Sequence, residues 1–120
     1  MKHIQLTSTV PIAQTSSFTT TNPDGTDSPF TIPSGKVFVL KDISIQRLSS
    51  PEPAGNLVIE ISQTPGTANV LRWCFVGQYE SNIERSFSAG IAFSTPFTVT
   101  NSSLSIDAMV VRLWGFIENA

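Results

Sequence analysis

The stretch Phe87-Ser88-Ala89-Gly90-Ile91-Ala92-Phe93-Ser94-Thr95-Pro96-Phe97-Thr98-Val99-Thr100 decides the fold class. Phe87, Ala89, Ile91, Phe93, Phe97 and Val99 share one parity. The other parity holds Ser88, Gly90, Ala92, Ser94, Pro96, Thr98 and Thr100. Side chains of a strand alternate between two faces, so this pattern reads as extended chain with one apolar face. Pro96 cannot donate to a ladder, so it marks a break or an edge.

The same period runs outward in both directions. Upstream, Leu57, Ile59 and Ile61 alternate with Val58, Glu60 and Ser62. Leu71, Trp73 and Phe75 alternate with Arg72 and Cys74 within a strand over 70–76. Residues 37–48 give the longest strand, apolar on both faces over Val37 to Leu40, then on one face at Ile43 and Ile45. Ile4 and Leu6 suggest a first strand, and Phe18 to Thr21 a second. Asn22-Pro23-Asp24-Gly25, Pro33-Ser34-Gly35 and Thr64-Pro65-Gly66-Thr67 carry turn chemistry, and 49–56 reads as a loop. Asn82 to Arg85 is compatible with a brief helical turn. Downstream, Asn101-Ser102-Ser103 reads as a turn, Leu104 and Ile106 as a short strand, and 109–117 as a closing strand. About eight strands closely spaced without a convincing helix point to an all-β, antiparallel β-sandwich, jelly-roll-like. No repeat or linker interrupts residues 1–120, which read as a single domain.

Composition agrees and narrows the function. Apolar residues make up 40% but charged residues only 13%, against about 25% in typical domains. Serine and threonine fill the gap, as suits strands and turns. A net charge of −2 offers no basic patch for nucleic acid. No apolar run approaches the roughly 20 residues of a spanning helix, so no membrane insertion is expected. Met1 to Gln5 is followed by no hydrophobic segment, so no secretory signal is read.

Chemistry is scarce. His3 is the only histidine and Cys74 the only cysteine. His3 reads as an edge-strand residue and Cys74 as a buried, inert thiol. Two such ligands cannot hold zinc. Asp24-Gly25-Thr26-Asp27 places two carboxylates in a loop, and a plain turn suits it better than calcium, which needs 6–8 oxygens. Glu60, Glu80, Glu84 and Asp107 are scattered acids rather than a hydrolytic pair. The expectation is therefore no enzyme, no metal and no cofactor. Asn101-Ser102-Ser103 also matches a glycosylation sequon.

The informative feature is missing charge. Neither 4–23 nor 86–106 contains a charged residue. Strands of soluble monomers usually carry charge, which discourages edge-to-edge pairing. On the last strand, Met109, Val111, Leu113 and Ile117 can fill a core, while Val110, Trp114 and Phe116, with Arg112 among them, face away. A second apolar face needs a second partner, either another layer of the same chain or another molecule. The expected interface is Val110, Arg112, Trp114 and Phe116, with Ile4 and Leu6.

Thr31-Ile32-Pro33-Ser34-Gly35-Lys36-Val37-Phe38-Val39-Leu40, followed by Asp42-Ile43-Ser44, resembles small β-sandwich proteins of phage and bacterial genomes. Phe93-Ser94-Thr95-Pro96-Phe97 and the segment from Val110 to Gly115-Phe116-Ile117 are similar to how those proteins end. The resemblance covers about the last 90 residues and rests on turn-and-strand chemistry. Among such proteins are decoration, or cement, proteins of tailed-phage heads. It implies a virion structural protein, made in the host cytoplasm, that bridges neighbouring subunits of the major capsid protein as a homotrimer. The alternative is a carbohydrate-binding jelly-roll module of a host-recognition apparatus, with Trp73, Trp114 and Tyr79 lining a sugar face.

Overall fold

The computed structural model describes residues 2–11, 13–22, 24–48, 56–63, 71–78, 82–102 and 108–120; at 2, 56, 57, 71–73 and 75–78 the description is of the backbone alone. The strands are β1 (Lys2–Val10), β2 (Thr15–Ser16), β3 (Thr19–Thr21), β4 (Asp27–Pro29), β5 (Lys36–Arg47), β6 (Asn56–Gln63), β7 (Leu71–Gln78), β8 (Asn82–Phe93), β9 (Phe97–Asn101) and β10 (Met109–Asn119). The protein is all-β, and every strand pairing is antiparallel. Six strands form one sheet in the order β4-β3-β1-β10-β5-β8, and four form the other in the order β2-β9-β6-β7.

The core lies between the two sheets. Leu6, Phe38, Ile43, Ile45, Val111 and Leu113 from the large sheet share one buried cluster with Ile59, Ile61, Phe97 and Val99 from the small one. Aromatic rings join the layers: Phe97 of β9 lies 5.7 Å from Phe38 of β5 and 4.5 Å from Phe93 of β8, centroid to centroid. Phe18 and Phe30, either side of the β3–β4 hairpin, close on Phe97 at 5.4 and 6.1 Å. Such ring pairs add ~0.5–1.5 kcal/mol each beyond the area they bury.

The stretch from Phe87 to Thr100 is two strands, not one. β8 belongs to the large sheet and β9 to the small one, so the chain changes layer at Ser94-Thr95-Pro96. The break expected at Pro96 is this crossover. A second irregularity lies inside β8. Leu40 pairs with Ile91 but Asp42 pairs with Ser86, so Phe87 to Gly90 bulge opposite Lys41 alone. Gly90 takes φ 79° there, the left-handed region open to glycine. The bulge turns Ala89 outward to solvent, against the strict alternation expected of it. Asn82 to Arg85 is strand, paired with Ile43 to Gln46, and not a helical turn.

β5 bulges at the same level. Trp114 of β10 pairs with Asp42 and Gly115 with Leu40, leaving Lys41 as the extra residue. One extra residue reverses parity. Phe38 and Leu40 therefore face the core before the bulge, and Ile43, Ile45 and Arg47 after it. β10 comes so close to β5 here that a Cβ on Gly115 would lie 2.0 Å from the Val39 carbonyl oxygen.

The turns follow their sequence signals. In the β3–β4 hairpin, Asn22 N donates to Thr26 O (2.7 Å) and Gly25 N to Asn22 O (2.9 Å), with Gly25 at φ 88°. Asn101, fully buried at the end of β9, ties the first crossover down: its Nδ2 donates to Val10 O (3.1 Å) and its backbone exchanges bonds with Ala13 and Gln14. The side chain that would carry a glycan in the Asn101-Ser102-Ser103 sequon is thus an interior donor. The short strand expected at Leu104 and Ile106 and the turn at Thr64 to Thr67 lie outside the described residues.

Two substitutions test this framework in urea unfolding. Gly115→Ala forces a methyl group onto the β5 backbone and is expected to cost about 1–3 kcal/mol. Asn101→Ala removes a buried side-chain hydrogen bond to the Val10 carbonyl and is expected to cost about 1 kcal/mol.

Candidate interaction surface

β10 sits between β1 and β5, so its outward side chains occupy the middle of the large sheet's outer face. Met109, Val111 and Leu113 are buried in the core, and the alternate set turns the other way. Trp114 is 36% exposed, and Phe116 and Arg112 are half-buried. Val110 belongs to the same face but is only 7% exposed.

Neighbouring strands frame this strip. His3 of β1 pairs with Phe116, and their rings meet edge to face at 6.0 Å. Gln5 pairs with Trp114 on one side, and Asp42 of β5 on the other. Asp42 Oδ1 accepts from Ser86 Oγ at 2.6 Å, and Lys41 Nζ donates to Ser88 O. A shallow depression of about 480 Å³ lies among His3, Gln5, Lys41, Asp42, Trp114 and Phe116. Lys41, the extra residue of β5, lies on its lining.

Four of the six expected interface residues share this outer face: Val110, Arg112, Trp114 and Phe116. Ile4 and Leu6 do not. Leu6 is fully buried in the core and Ile4 packs against it, because both occupy the inward parity of β1. The β1 residues that flank the strip are His3 and Gln5, one position away from the expected pair. The antiparallel register with β10, which pairing alone supplies, was the missing signal.

The groups that could support chemistry are dispersed. Glu60 is on β6 of the small sheet and Glu84 on the outer face of β8 in the large one, so they do not converge. Glu80 and Asp107 lie outside the described residues. Cys74 is exposed rather than buried. It sits opposite Glu60 on β7, an edge strand, on the small sheet and away from His3. Among the described residues no three His, Cys, Asp or Glu side chains gather as metal ligands. The Asp24 carboxylate is spent within its turn, accepting from Thr26 N (3.0 Å) and Thr26 Oγ1 (2.6 Å). These bonds hold its pKa below the ordinary carboxylate value. Asp27 Oδ1 accepts from Thr21 Oγ1 across the hairpin. Of the proposed sugar-facing rings, Trp114 is exposed beside the depression, while the Trp73 side chain and Tyr79 lie outside the description.

No protein-family model matches the chain, and no curated protein matches it. No helix among the described residues is long and apolar enough to cross a membrane.

Adjacent residues of β10 distinguish the two faces. Leu113→Ala opens a core cavity and is expected to cost about 2–5 kcal/mol. Trp114→Ala removes a partly exposed side chain from a face with no second layer among the described residues and is expected to cost about 1 kcal/mol or less in the isolated chain. Paired urea titrations check the contrast.

Proposed function

We propose that this chain is a non-catalytic adhesive module, a virion structural protein of the capsid decoration type that acts as a homotrimer bridging neighbouring capsid subunits. The observation that carries the reading is the apolar strip on β10, with Trp114 36% exposed in the middle of a sheet face that has no second layer among the described residues. Trp114 and Phe116, with Arg112 between Val110 and Trp114 on the same face, are residue types enriched at interface centres. The long uncharged stretches 4–23 and 86–106 support it, since little charge opposes contact with other copies or with a shell. The capsid itself comes into the reading from the resemblance over 31–40, 42–44, 93–97 and 110–117. The working principle is multivalency. Each interface is modest, and linked copies bind with an avidity no single copy has.

A second reading keeps one observation of its own. Trp114 borders a depression whose rim carries Gln5 and Asp42, and an exposed ring beside polar groups also suits a neutral sugar. On this reading the module recognises a glycan on the host surface.

Light scattering and capsid co-sedimentation separate the two. The decoration reading predicts a particle of three 13.0-kDa chains. It also predicts saturable binding to capsid shells that Trp114→Glu weakens at least tenfold. A stable monomer that ignores shells would overturn it, and oligosaccharide-dependent quenching of Trp114 fluorescence would favour the glycan reading.

A further inference from the structure

One row of side chains crosses the outer face of the large sheet, transverse to its strands. Ser86 of β8 pairs with Asp42 of β5, Asp42 with Trp114 of β10, and Trp114 with Gln5 of β1. The antiparallel register that sets Thr7 opposite Thr19 brings Thr21 of β3 level with Gln5. Residues opposite one another on paired strands share a face, and all five side chains are exposed. Neighbouring strands lie about 4.8 Å apart, so the row spans about 19 Å. The rows on either side differ. His3, Phe116 and Val39 form one, and Thr7, Arg112 and Ser44 the other; apart from His3, all of these are buried or half-buried.

The surface is hollow along the exposed row. The depression of about 480 Å³ has Asp42, Trp114 and Gln5 on its lining, and a cavity of about 680 Å³ has Gln5 and Thr21 on its own. Gln5 lines both, so the two meet on β1. Each is within the size range of a site for one drug-sized ligand. A ligand that occupies both is elongated and lies across the strands.

The row alternates polar, aromatic, polar. Trp114, 36% exposed, supplies apolar ring surface at its middle. The Gln5 amide both donates and accepts. Thr21 Oγ1 donates to Asp27 and Ser86 Oγ to Asp42, which leaves both hydroxyl oxygens as acceptors. Inside the cavity, Ile4, Phe30 and Ile117 add apolar surface backed by the core. The cavity lining contains no Asp, Glu, Lys or Arg. Asp42 is the one charged group in the row, and it disfavours an acidic chain. A pyranose chain matches this pattern: its rings have apolar C–H faces and a rim of hydroxyls. An extended β-1,4-linked chain also advances, ring by ring, by close to the spacing between strands.

We propose that this row is a ladder of subsites for a neutral, extended β-1,4-linked oligosaccharide. One ring lies against Trp114, its neighbours on one side bond to Gln5 and Thr21, and those on the other to Asp42 and Ser86. The proposal rests on the glycan reading of the Trp114 depression and adds to it the charge, the length and the direction of the chain.

The test titrates the full chain, its amide resonances assigned, with cellohexaose and separately with cellobiose. Cellohexaose is expected to shift the Ser86, Asp42, Gln5 and Thr21 amides and the Trp114 indole along one binding curve. It is expected to bind at least tenfold more tightly than cellobiose. The amides of Thr9, Val110 and Gln46, two rows away on the same face, should stay in place. Gln5→Ala, with its fold checked in the same spectra, should weaken cellohexaose at least fivefold. Cellohexaose oxidised to carboxylates at C6 should bind at least tenfold more weakly, and equal binding would overturn the neutral class. Shifts confined to Trp114 and Gln5, with cellobiose bound as tightly as cellohexaose, would overturn the ladder and leave a compact glycan site at Trp114. No shift with either sugar would overturn the ladder and the glycan reading together.

Discussion

The structure depends on the position of β10. It is the last strand in sequence and lies in the middle of the large sheet, paired with β1 over nine residues and with β5 over eleven. It can lie that close to β5 only because position 115 lacks a side chain, with the Val39 carbonyl where a Cβ would stand. A strand in that place needs an apolar inner face, since the small sheet packs beneath it. Met109, Val111 and Leu113 provide one. Nothing in a two-layer sandwich requires the outer face to be apolar as well. That Val110, Trp114 and Phe116 are so is the reason to place function there.

The second constraint is the bend shared by β5, β8 and β10. Lys41 is an extra residue in β5, Phe87 to Gly90 are extra in β8, and Gly115 marks the same level on β10. Bulges of this kind re-aim side chains and sharpen local twist. Here they gather Lys41, Asp42, Trp114 and Phe116 around one depression. The depression thus lies where the three irregular positions meet. The titratable groups are spread over the two sheets.

Much of the fold was legible in the sequence because strand alternation is written residue by residue. The opposite faces of β10 could be read directly from 109–117. The parity change in β5 could not be read, because 37–40 is apolar on both faces and a bulge is a relation between two strands. The same limit explains Ile4 and Leu6. Alternation shows that they share a face, and only pairing with β10 shows that the face is the inner one. The exposed Cys74 follows from its register: it pairs with Glu60, on the opposite parity to the buried Ile59 and Ile61. Asn82 to Arg85 lacks apolar alternation, and its strand conformation is imposed by β5.

The central claim is that β10 carries one face for its own core and one for another molecule. Hydroxyl-radical footprinting, comparing the dilute chain with its assembled state, tests this most directly. The account predicts that Trp114 and Phe116 are oxidised in the dilute chain and protected on assembly, while Met109 and Leu113 are protected in both. Trp114 protected in the dilute chain, or equally reactive in both states, would contradict it.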